Sequence, residues 1–165
     1  MAKDSREVSI RIREAGIEDV PVIMRFIRDI AEFENLSDEV VADEETIAES
    51  LFGEERSARV ILADVDGEAA GFAVYFYNFS TFVGRPGIYL EDIFVSKDKR
   101  GIGVGGEMMR HLARIARAGK CARMDWAVLD WNPARAFYEM LGAEPLEDWV
   151  LYRISGERLE RLADG

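Results

Sequence analysis

One stretch in the second half of the chain constrains the fold most, because an apolar strand, a glycine-rich loop and a helix follow one another there. Residues 88–95 are mostly apolar and aromatic and predict a strand. Residues 100–106 contain four glycines, and Val104–Ala118 then predicts a helix. Glycines let the backbone approach a ligand closely, and the first amides of the helix have no internal partner. The stretch therefore predicts an anion site, such as one for a pyrophosphate, with Arg100 as a charged contact.

The same loop formally matches the dinucleotide-binding pattern G-x-G-x-x-G at Gly101, Gly103 and Gly106, with Asp125 about twenty residues further on. Three features oppose that interpretation. The loop lies too late in the chain for a doubly wound sheet, the acid precedes most of its apolar run, and basic residues that the pattern does not require lead into the glycines. A P-loop is excluded because Gly-Lys-Ser/Thr does not follow. The loop is therefore interpreted as an anion site of another kind.

The remaining patterns alternate between strands and helices, without repeats, linkers or low-complexity tracts. Strands are predicted over 9–13, 58–65, 68–77, 88–95, 123–129 and 149–154, and helices over 18–33, between Asp43 and Gly53, over 104–118, between Asn132 and Gly142, and over 157–162. Asp66-Gly67 predicts a two-residue hairpin turn, and residues 78–87 predict a loop. This order predicts an α/β (α+β) fold with helices flanking a mixed sheet. One domain, 1–165, is expected.

The formal net charge of −11 bears on the kind of partner. It argues against nucleic acid, which requires a basic surface, and it is compatible with a cationic substrate, although acidity also simply favours solubility. Cys121 and His111 are single residues of their types, so neither a disulfide nor a metal site is expected. Residues 1–7 lack an apolar signal core, and no apolar run reaches the roughly 18–20 residues of a membrane span. A cytoplasmic protein without membrane contact is expected.

Arg100, Gly103 and Gly105 form the motif R-x-x-G-x-G/A, and three further segments accompany it in order. These are Tyr89-Leu90-Glu91-Asp92-Ile93-Phe94-Val95, Ala127-Val128-Leu129-Asp130-Trp131-Asn132 and Phe137-Tyr138-Glu139-Met140-Leu141-Gly142-Ala143. From the first strand to about Ile154, the chain resembles the GNAT superfamily of acyl-CoA-dependent N-acetyltransferases, and within it the diamine and thialysine branch. The resemblance implies a mixed, mostly antiparallel sheet, splayed between strands 4 and 5 and flanked by helices. It also implies acetyl-CoA as co-substrate, no metal, and a homodimer.

The resemblance further implies which residues hold the coenzyme. Backbone groups of Ile93 and Val95 match positions that bind the pantetheine arm, and an N–H there could stabilise a developing oxyanion. The full implied set is Ile93, Phe94, Val95, Arg100, Gly101, Ile102, Gly103, Val104, Gly105, Gly106, Asn132, Pro133, Ala134, Arg135 and Tyr138.

Acetyl transfer to an alkyl amine requires loss of a proton, because the ammonium form, with a pKa of about 10.4, is not a nucleophile. Deprotonation at pH 7 costs about 4–5 kcal/mol, which a carboxylate base can offset in part. Glu91 and Asp92 interrupt an otherwise apolar strand, and from the residues alone a salt bridge or a strand end explains them equally well. The resemblance implies that Glu91 deprotonates the amine through water and that Asp92 helps to bind the cation.

Tyr138 lies in the helix that Asn132 opens, and tyrosine is protonated at neutral pH. It can therefore donate a proton to a departing thiolate, which is the general-acid role that the resemblance implies. Packing of an apolar helix face on the sheet is the alternative, and it suits the neighbouring Phe137. Transfer is expected to be direct, without a covalent enzyme intermediate. Cys121 offers the sole thiol nucleophile, but it begins a predicted strand and no histidine lies near it in sequence.

Phe33 and Glu34 match an aromatic–acid pair that the resembled family uses on its substrate, although a packed phenylalanine at a solvated helix end explains them equally well. Phe82 stands where polyamine-specific members carry a tryptophan, and residues 80–82 lack the acidic residue of those members. We therefore expect a lysine-like amino acid or a short diamine rather than spermine. A polyamine acetyltransferase, a protein N-acetyltransferase and a non-catalytic acyl-CoA sensor stay open as alternatives.

Overall fold

The computed structural model describes residues 8–165, and the stretch 1–7, on which the expectation about a signal segment rests, lies outside the described residues. The chain divides into two compact units, the first ending at Ala127 and the second spanning Val128–Gly165. The first unit contains a sheet and three longer helices, and the second contains two short helices.

The sheet of the first unit has five strands that lie side by side in chain order. They are β1 Ile10–Glu14, β2 Arg59–Val65, β3 Glu68–Ser80, β4 Arg85–Val95 and β5 Met124–Trp126. Neighbouring strands are antiparallel except β4 and β5, which are parallel. Asp66 and Gly67 between β2 and β3 have φ values of +52° and +87°, as a two-residue Asp-Gly hairpin turn requires. The predicted mixed, mostly antiparallel sheet is confirmed.

Within residues 8–165, five α-helices accompany the strands. They are α1 Val20–Phe33, α2 Glu44–Phe52, α3 Val104–Ala118, α4 Ala134–Met140 and α5 Glu157–Ala163. Because β4 and β5 are parallel, the chain must cross over between them, and α3 is the crossover helix. Helix α2 begins where predicted, since the side chain of Asp43 accepts a hydrogen bond from the Thr46 amide at 2.8 Å. No helix within residues 8–165 is long and apolar enough to span a membrane.

The apolar core lies on both faces of the sheet. On one face, Phe72 and Val74 of β3 pack with Ile23 and Phe26 of α1, and the Phe26 and Phe72 rings stack with their centroids 5.3 Å apart. The intervening residue Ala73 is also fully buried, and alternation along the strand directs it to the opposite face, which α3 covers. Strand β3 and its neighbour β4 are therefore held between two layers of helix.

The prediction of a loop over residues 78–87 is wrong, because most of these residues belong to strands. Strands β3 and β4 continue to pair as far as Ser80 and Arg85, and only residues 81–84 form the turn. Pro86, which suggested a break, does not interrupt the ladder with β3. Its carbonyl accepts a hydrogen bond from the Ala122 amide at 2.8 Å, so the backbone of Pro86 faces the β5 side, where the missing N–H costs no bond to β3.

The prediction of a strand over residues 149–154 is also wrong. Strand β5 exists, but it is shorter than the predicted range 123–129. Residues 149–154 form no regular structure and are exposed, Trp149 to 77% and Tyr152 to 90%. A strand requires a neighbour that pairs its N–H and C=O groups, and residues 128–165 contain no other strand. An apolar β-like pattern does not become a strand without such a partner.

Candidate active site

Strands β4 and β5 separate halfway along β4 and leave an open edge. Their pairing covers residues 88–90 of β4 and Met124–Trp126 of β5, whereas β4 continues to Val95. From Glu91 onward, the edge of β4 that faces β5 has no strand beside it in the described part of the first unit. This open edge is the splay between strands 4 and 5 that the resemblance implies.

A β-bulge at Glu91 lies where the open edge begins. Leu90 pairs with Tyr75 and Asp92 pairs with the adjacent Val74, so Glu91 is one extra residue in β4. Because Tyr75 and Val74 point to opposite faces of the sheet, Leu90 and Asp92 do so as well. The bulge therefore turns Asp92 toward the face that α1 covers.

The bulge also changes which backbone groups of β4 face the open edge. Before the bulge, the Ile88 amide donates to a carbonyl of the segment that leads into β5, at 3.0 Å. After the bulge, the Ser96 amide donates to the Ala70 carbonyl of β3, at 2.8 Å. Alternate residues of a strand present their backbone groups to opposite edges. Ile93 and Val95 therefore present theirs to the open edge.

The glycine loop between β4 and α3 is not obstructed by other atoms. Gly101 and Gly103 have φ values of +80° and +96°, which favour glycine, and a Cβ at either position would meet no atom within 4 Å. The Glu107 amide donates to the Gly103 carbonyl at 3.0 Å, which is the first helical bond of α3. The amides of residues 104–106 precede that bond, so they are donors available to an anion. The loop therefore fits an anionic group such as a pyrophosphate.

Two residues at the junction of the glycine loop and α3 differ sharply in burial. Val104, the first residue of α3, is 1% exposed and anchors the helix in the core, whereas Ile102 is 43% exposed at the loop surface. The start of α3 is therefore fixed by packing, and the loop before it remains accessible.

Glu107, in the first turn of α3, is balanced by two arginines. Arg110 Nη2 and Arg114 Nη1 lie 2.9 and 3.2 Å from its carboxylate oxygens. Hydrogen bonding, from Arg110 foremost, lowers the pKa of Glu107. Since this carboxylate is paired, its charge opposes anion binding at the helix N-terminus less than an unpaired carboxylate would.

Three carboxylates lie at the bulge, and we call Glu34, Glu91 and Asp92 the uncompensated cluster. No ion pair between residues 8–165 includes any of the three. Burial, followed by the negative charges of Glu91 and Glu34, raises the pKa of Asp92 to about 6. Burial also raises the pKa of Glu34. Carboxylates that repel one another in this way favour a cation beside them.

The end of α1 brings Phe33 and Glu34 to this cluster. The helix ends in a hydrogen-bonded turn in which Asn35 has a φ of +59°. Asparagine tolerates this left-handed conformation better than most residues, so the sequence itself favours an end here. The guanidinium of Arg100 contacts both Phe33 and Phe94 of β4, so the last turn of α1 lies beside β4. The negative charge of Glu34 contributes to the raised pKa of Asp92.

Arg100 makes contacts that no sequence motif signals. Its Nε donates to the Val95 carbonyl at 2.9 Å, and its guanidinium carbon lies 5.1 Å from the centre of the Phe33 ring and 5.3 Å from that of Phe94. The Phe94 ring lies 6.3 Å from the ring of Phe26 in the core. Arg100 therefore connects the glycine loop, the open edge of β4 and the end of α1.

The second unit holds the other predicted coenzyme residues and Tyr138. Asn132 is buried, and its Oδ1 accepts a hydrogen bond from the Ala134 amide, the first of α4, at 2.9 Å. The helix begins at Ala134 with Pro133 in the cap position, one residue later than predicted. Arg135 donates from Nη1 to a backbone carbonyl at 3.1 Å. Tyr138 lies within α4, and its ring centroid is 5.4 Å from that of the preceding phenylalanine. These residues are thereby ordered within their own unit.

Phe82 lies apart from the uncompensated cluster in the first unit. It is 99% exposed in the turn between β3 and β4. Six paired positions, 85–90 of β4, separate that turn from the bulge, which corresponds to roughly 20 Å along the strand. A contact between Phe82 and the substrate remains a prediction.

Comparisons with known proteins agree with one another. Residues 24–143 match the model of the acetyltransferase (GNAT) family. The thialysine N-epsilon-acetyltransferase of Mus musculus is 39% identical over 94% of this chain and 98% of its own length. The spermidine/spermine N(1)-acetyltransferase-like protein 1 of Homo sapiens is 31% identical over 93% of this chain and 24% of its own length. Among solved structures, an integron cassette protein from the mobile metagenome of V. cholerae has a TM-score of 0.79 at 31% identity, covering 95% of this chain and 99% of that one.

Proposed function

Since this chain belongs to the acetyltransferase (GNAT) family, we propose that it transfers an acetyl group from acetyl-CoA to a primary amine of a small cationic substrate. Members of this family use acetyl-CoA as co-substrate, and the chain is an acetyl-CoA-dependent N-acetyltransferase. The observation that supports a cationic amine most is the uncompensated cluster at the start of the open edge. A substrate ammonium group would supply the positive charge that these carboxylates lack.

The glycine loop and the open edge of β4 are the proposed coenzyme site. The amides of residues 104–106 and the side chain of Arg100 would hold the pyrophosphate, and backbone groups of Ile93 and Val95 would hold the pantetheine arm. Residues 132–135 at the start of α4 complete the proposed set. Acetyl-CoA supplies the thioester carbonyl that the amine attacks, and an N–H of β4 near that carbonyl oxygen would stabilise the charge that develops on it.

Glu91 is the proposed base, which accepts the amine proton through water, and Asp92 is the proposed cation-binding residue. Glu91 is exposed, which suits proton transfer through water, whereas Asp92 is partly buried. Asp92 is a second candidate base, because a base is most effective when its pKa lies near the working pH and the pKa of Asp92 is about 6. The variants Glu91→Gln and Asp92→Asn distinguish the two assignments. Loss of the base lowers kcat, whereas loss of a binding carboxylate raises the KM for the amine.

Tyr138 is the proposed acid. As the amine nitrogen forms its bond to the acetyl carbon and the C–S bond breaks, the Tyr138 hydroxyl would give its proton to the departing sulfur. We expect Tyr138→Phe to lower kcat at least about tenfold while the affinity for CoA stays the same. Full kcat in this variant would contradict the assignment.

A lysine-like amino acid is the proposed substrate class, with a short diamine as its nearest alternative. The chain is more similar to the thialysine enzyme than to the spermidine/spermine acetyltransferase-like protein. Residues 80–82 read Ser-Thr-Phe and offer no carboxylate to the far end of a long polyamine. Absence of one such ionic contact costs about 1–3 kcal/mol of binding free energy. A homodimer is proposed as well.

Release of CoA from acetyl-CoA tests this function directly. Thialysine, lysine, short diamines, spermidine and a peptide panel serve as acceptors, and we expect the highest kcat/KM with thialysine or lysine. Turnover of peptides alone would contradict a small-amine substrate. Tight binding of acetyl-CoA without turnover of any amine would indicate a sensor instead. Glu39→Gln is the matched control for the Glu91→Gln variant, because Glu39 is an exposed glutamate that lies outside the proposed site.

A further inference from the structure

We propose that Arg100 is a positioning residue for the amine substrate in addition to its proposed role in binding the coenzyme. Its guanidinium lies against the rings of Phe33 and Phe94, and we call these three residues the Arg100 stack. By holding the end of α1 next to β4, the stack fixes Glu34 relative to Asp92 and so shapes the amine site. The proposal rests on the proposed function, because it concerns how that same site recognises its amine.

The contacts of Arg100 suit a planar cation in particular. Both ring centres lie inside the roughly 6 Å within which a guanidinium is attracted to an aromatic face. The hydrogen bond from Nε to the Val95 carbonyl, at 2.9 Å, limits how the plane of the guanidinium can rotate. A lysine would keep the positive charge, but its ammonium group cannot contact two rings and a carbonyl in the same way.

The two rings of the stack are anchored unequally. Phe94 belongs to β4 and lies next to Phe26, which is fully buried, so the strand side is held by the core. Phe33 and Phe94 are both partly exposed, but Phe33 is the last residue of α1, so the helix side of the stack lies at a helix end. Glu34 follows Phe33 directly. A shift of this turn would therefore move the carboxylate of Glu34 away from the rest of the uncompensated cluster.

The stack also links the two substrates through one side chain. An arginine carries five N–H donors, and the bond to Val95 uses one of them. A pyrophosphate held by other donors of Arg100 would restrain the guanidinium where it contacts both rings. Coenzyme binding would then favour the arrangement that binds the amine, and by reciprocity the amine would favour coenzyme binding.

A double-mutant cycle with Arg100→Lys and Phe33→Leu tests the proposal. The KM for thialysine is measured at saturating acetyl-CoA, and the affinity for CoA is measured by isothermal titration calorimetry. We expect each single variant to raise this KM about three- to tenfold with kcat within about twofold, and to weaken CoA binding. The combined variant should have a KM for thialysine no higher than that of the more affected single variant, because both changes remove the same contact between Arg100 and Phe33. Phe33→Tyr keeps the ring and should restore the wild-type KM.

Lys99→Met is the matched control, because it removes a positive charge from the same loop. The Nζ atom of Lys99 lies 3.7 Å from Oδ2 of Asp98. It should leave the KM for thialysine unchanged. The proposal is overturned if Arg100→Lys weakens CoA binding without changing the amine KM, or if the two single effects multiply in the combined variant. The proposed function fails separately, if the wild-type protein acetylates none of the small amines.

Discussion

Two groups of carboxylates in this molecule have opposite electrostatic surroundings. In the first, which we call the paired cluster, Arg13 lies 2.7 Å from Asp19 and 2.8 Å from Asp64. The hydrogen bond from Arg13 lowers the pKa of Asp19. In the uncompensated cluster, by contrast, burial and the neighbouring carboxylates raise the pKa of Asp92 to about 6.

The opposite pKa shifts of Asp19 and Asp92 indicate different roles, a structural one for the paired cluster and a functional one for the uncompensated cluster. Arg13 joins β1 to β2 through Asp64 and to the segment before α1 through Asp19, so the paired cluster stabilises the fold. The uncompensated cluster costs stability at neutral pH, because the folded state holds the charged form of Asp92 less favourably than the unfolded state does. A site can retain such a cost when a ligand supplies the missing charge.

The largest expected effect concerns catalysis and distinguishes the two clusters most sharply. Glu91→Gln should lower kcat by about 10²-fold or more if Glu91 is the base. Asp19→Asn removes a carboxylate charge of the paired cluster and should leave kcat unchanged. Both variants are compared by CoA release at saturating thialysine. A similar loss of kcat in both would remove the distinction.

Arg13→Met should lower the free energy of unfolding by about 1–3 kcal/mol, because it leaves two partly buried carboxylates next to each other without their partner. Urea denaturation at pH 7 measures this loss. Arg28→Met is the control, since Arg28 is exposed on α1 and its loss should change stability little. If the two variants were equally stable, the paired cluster would not have the structural role described here.

Asp92→Asn should stabilise the protein at pH 8 by about 1–2 kcal/mol while impairing acetyl transfer. The folded-state pKa of Asp92 is raised from 3.8 to about 6, so its cost grows as the pH rises through this interval and vanishes below it. The gain should therefore be complete above pH 6 and absent below pH 4, whereas Asp19→Asn should lose stability above pH 4. Thermal melting across this range measures both, and loss of stability in Asp92→Asn at pH 8 would contradict the assignment.

The smallest expected effect provides a reference that does not depend on pH. Gly119 is the C-cap of α3, and the residue that follows it, Lys120, is left-handed, with a φ of +55°. Lys120→Gly should raise the free energy of unfolding by about 0.5–1 kcal/mol, because glycine adopts this conformation without a Cβ penalty. The gain should be equal at pH 5 and pH 8, and a strongly pH-dependent gain would show that other groups respond to the change.

Most strands, the helices and the glycine loop were predictable because each depends on a local pattern, whereas the mostly antiparallel arrangement of the sheet was implied only by the family resemblance. Alternation, helix caps and the Asp-Gly turn act over a few residues and are visible in the sequence. The segment 149–154 has the same kind of pattern, yet it is no strand, since pairing depends on a neighbour that local sequence does not reveal.

Within the candidate site, residue types were predictable but their arrangement was not. Glu91, Asp92 and Arg100 could be identified from the chain, whereas the bulge at Glu91 depends on how β4 pairs with β3. The contact of Arg100 with Phe33 joins residues far apart in sequence, and no spacing rule predicts it. Sequence patterns specify which groups are present, and tertiary packing determines which of them meet.

We propose that a substrate ammonium group supplies the charge that the uncompensated cluster lacks. Carboxyl-carbon NMR titration of ¹³C-labelled protein, with the Asp92 signal assigned by Asp92→Asn, tests it most directly. In the free protein we expect the pKa of Asp92 to be about 6, and saturating thialysine should lower it, because a bound cation favours the ionised carboxylate. A pKa that stays the same in the presence of bound thialysine would contradict the account.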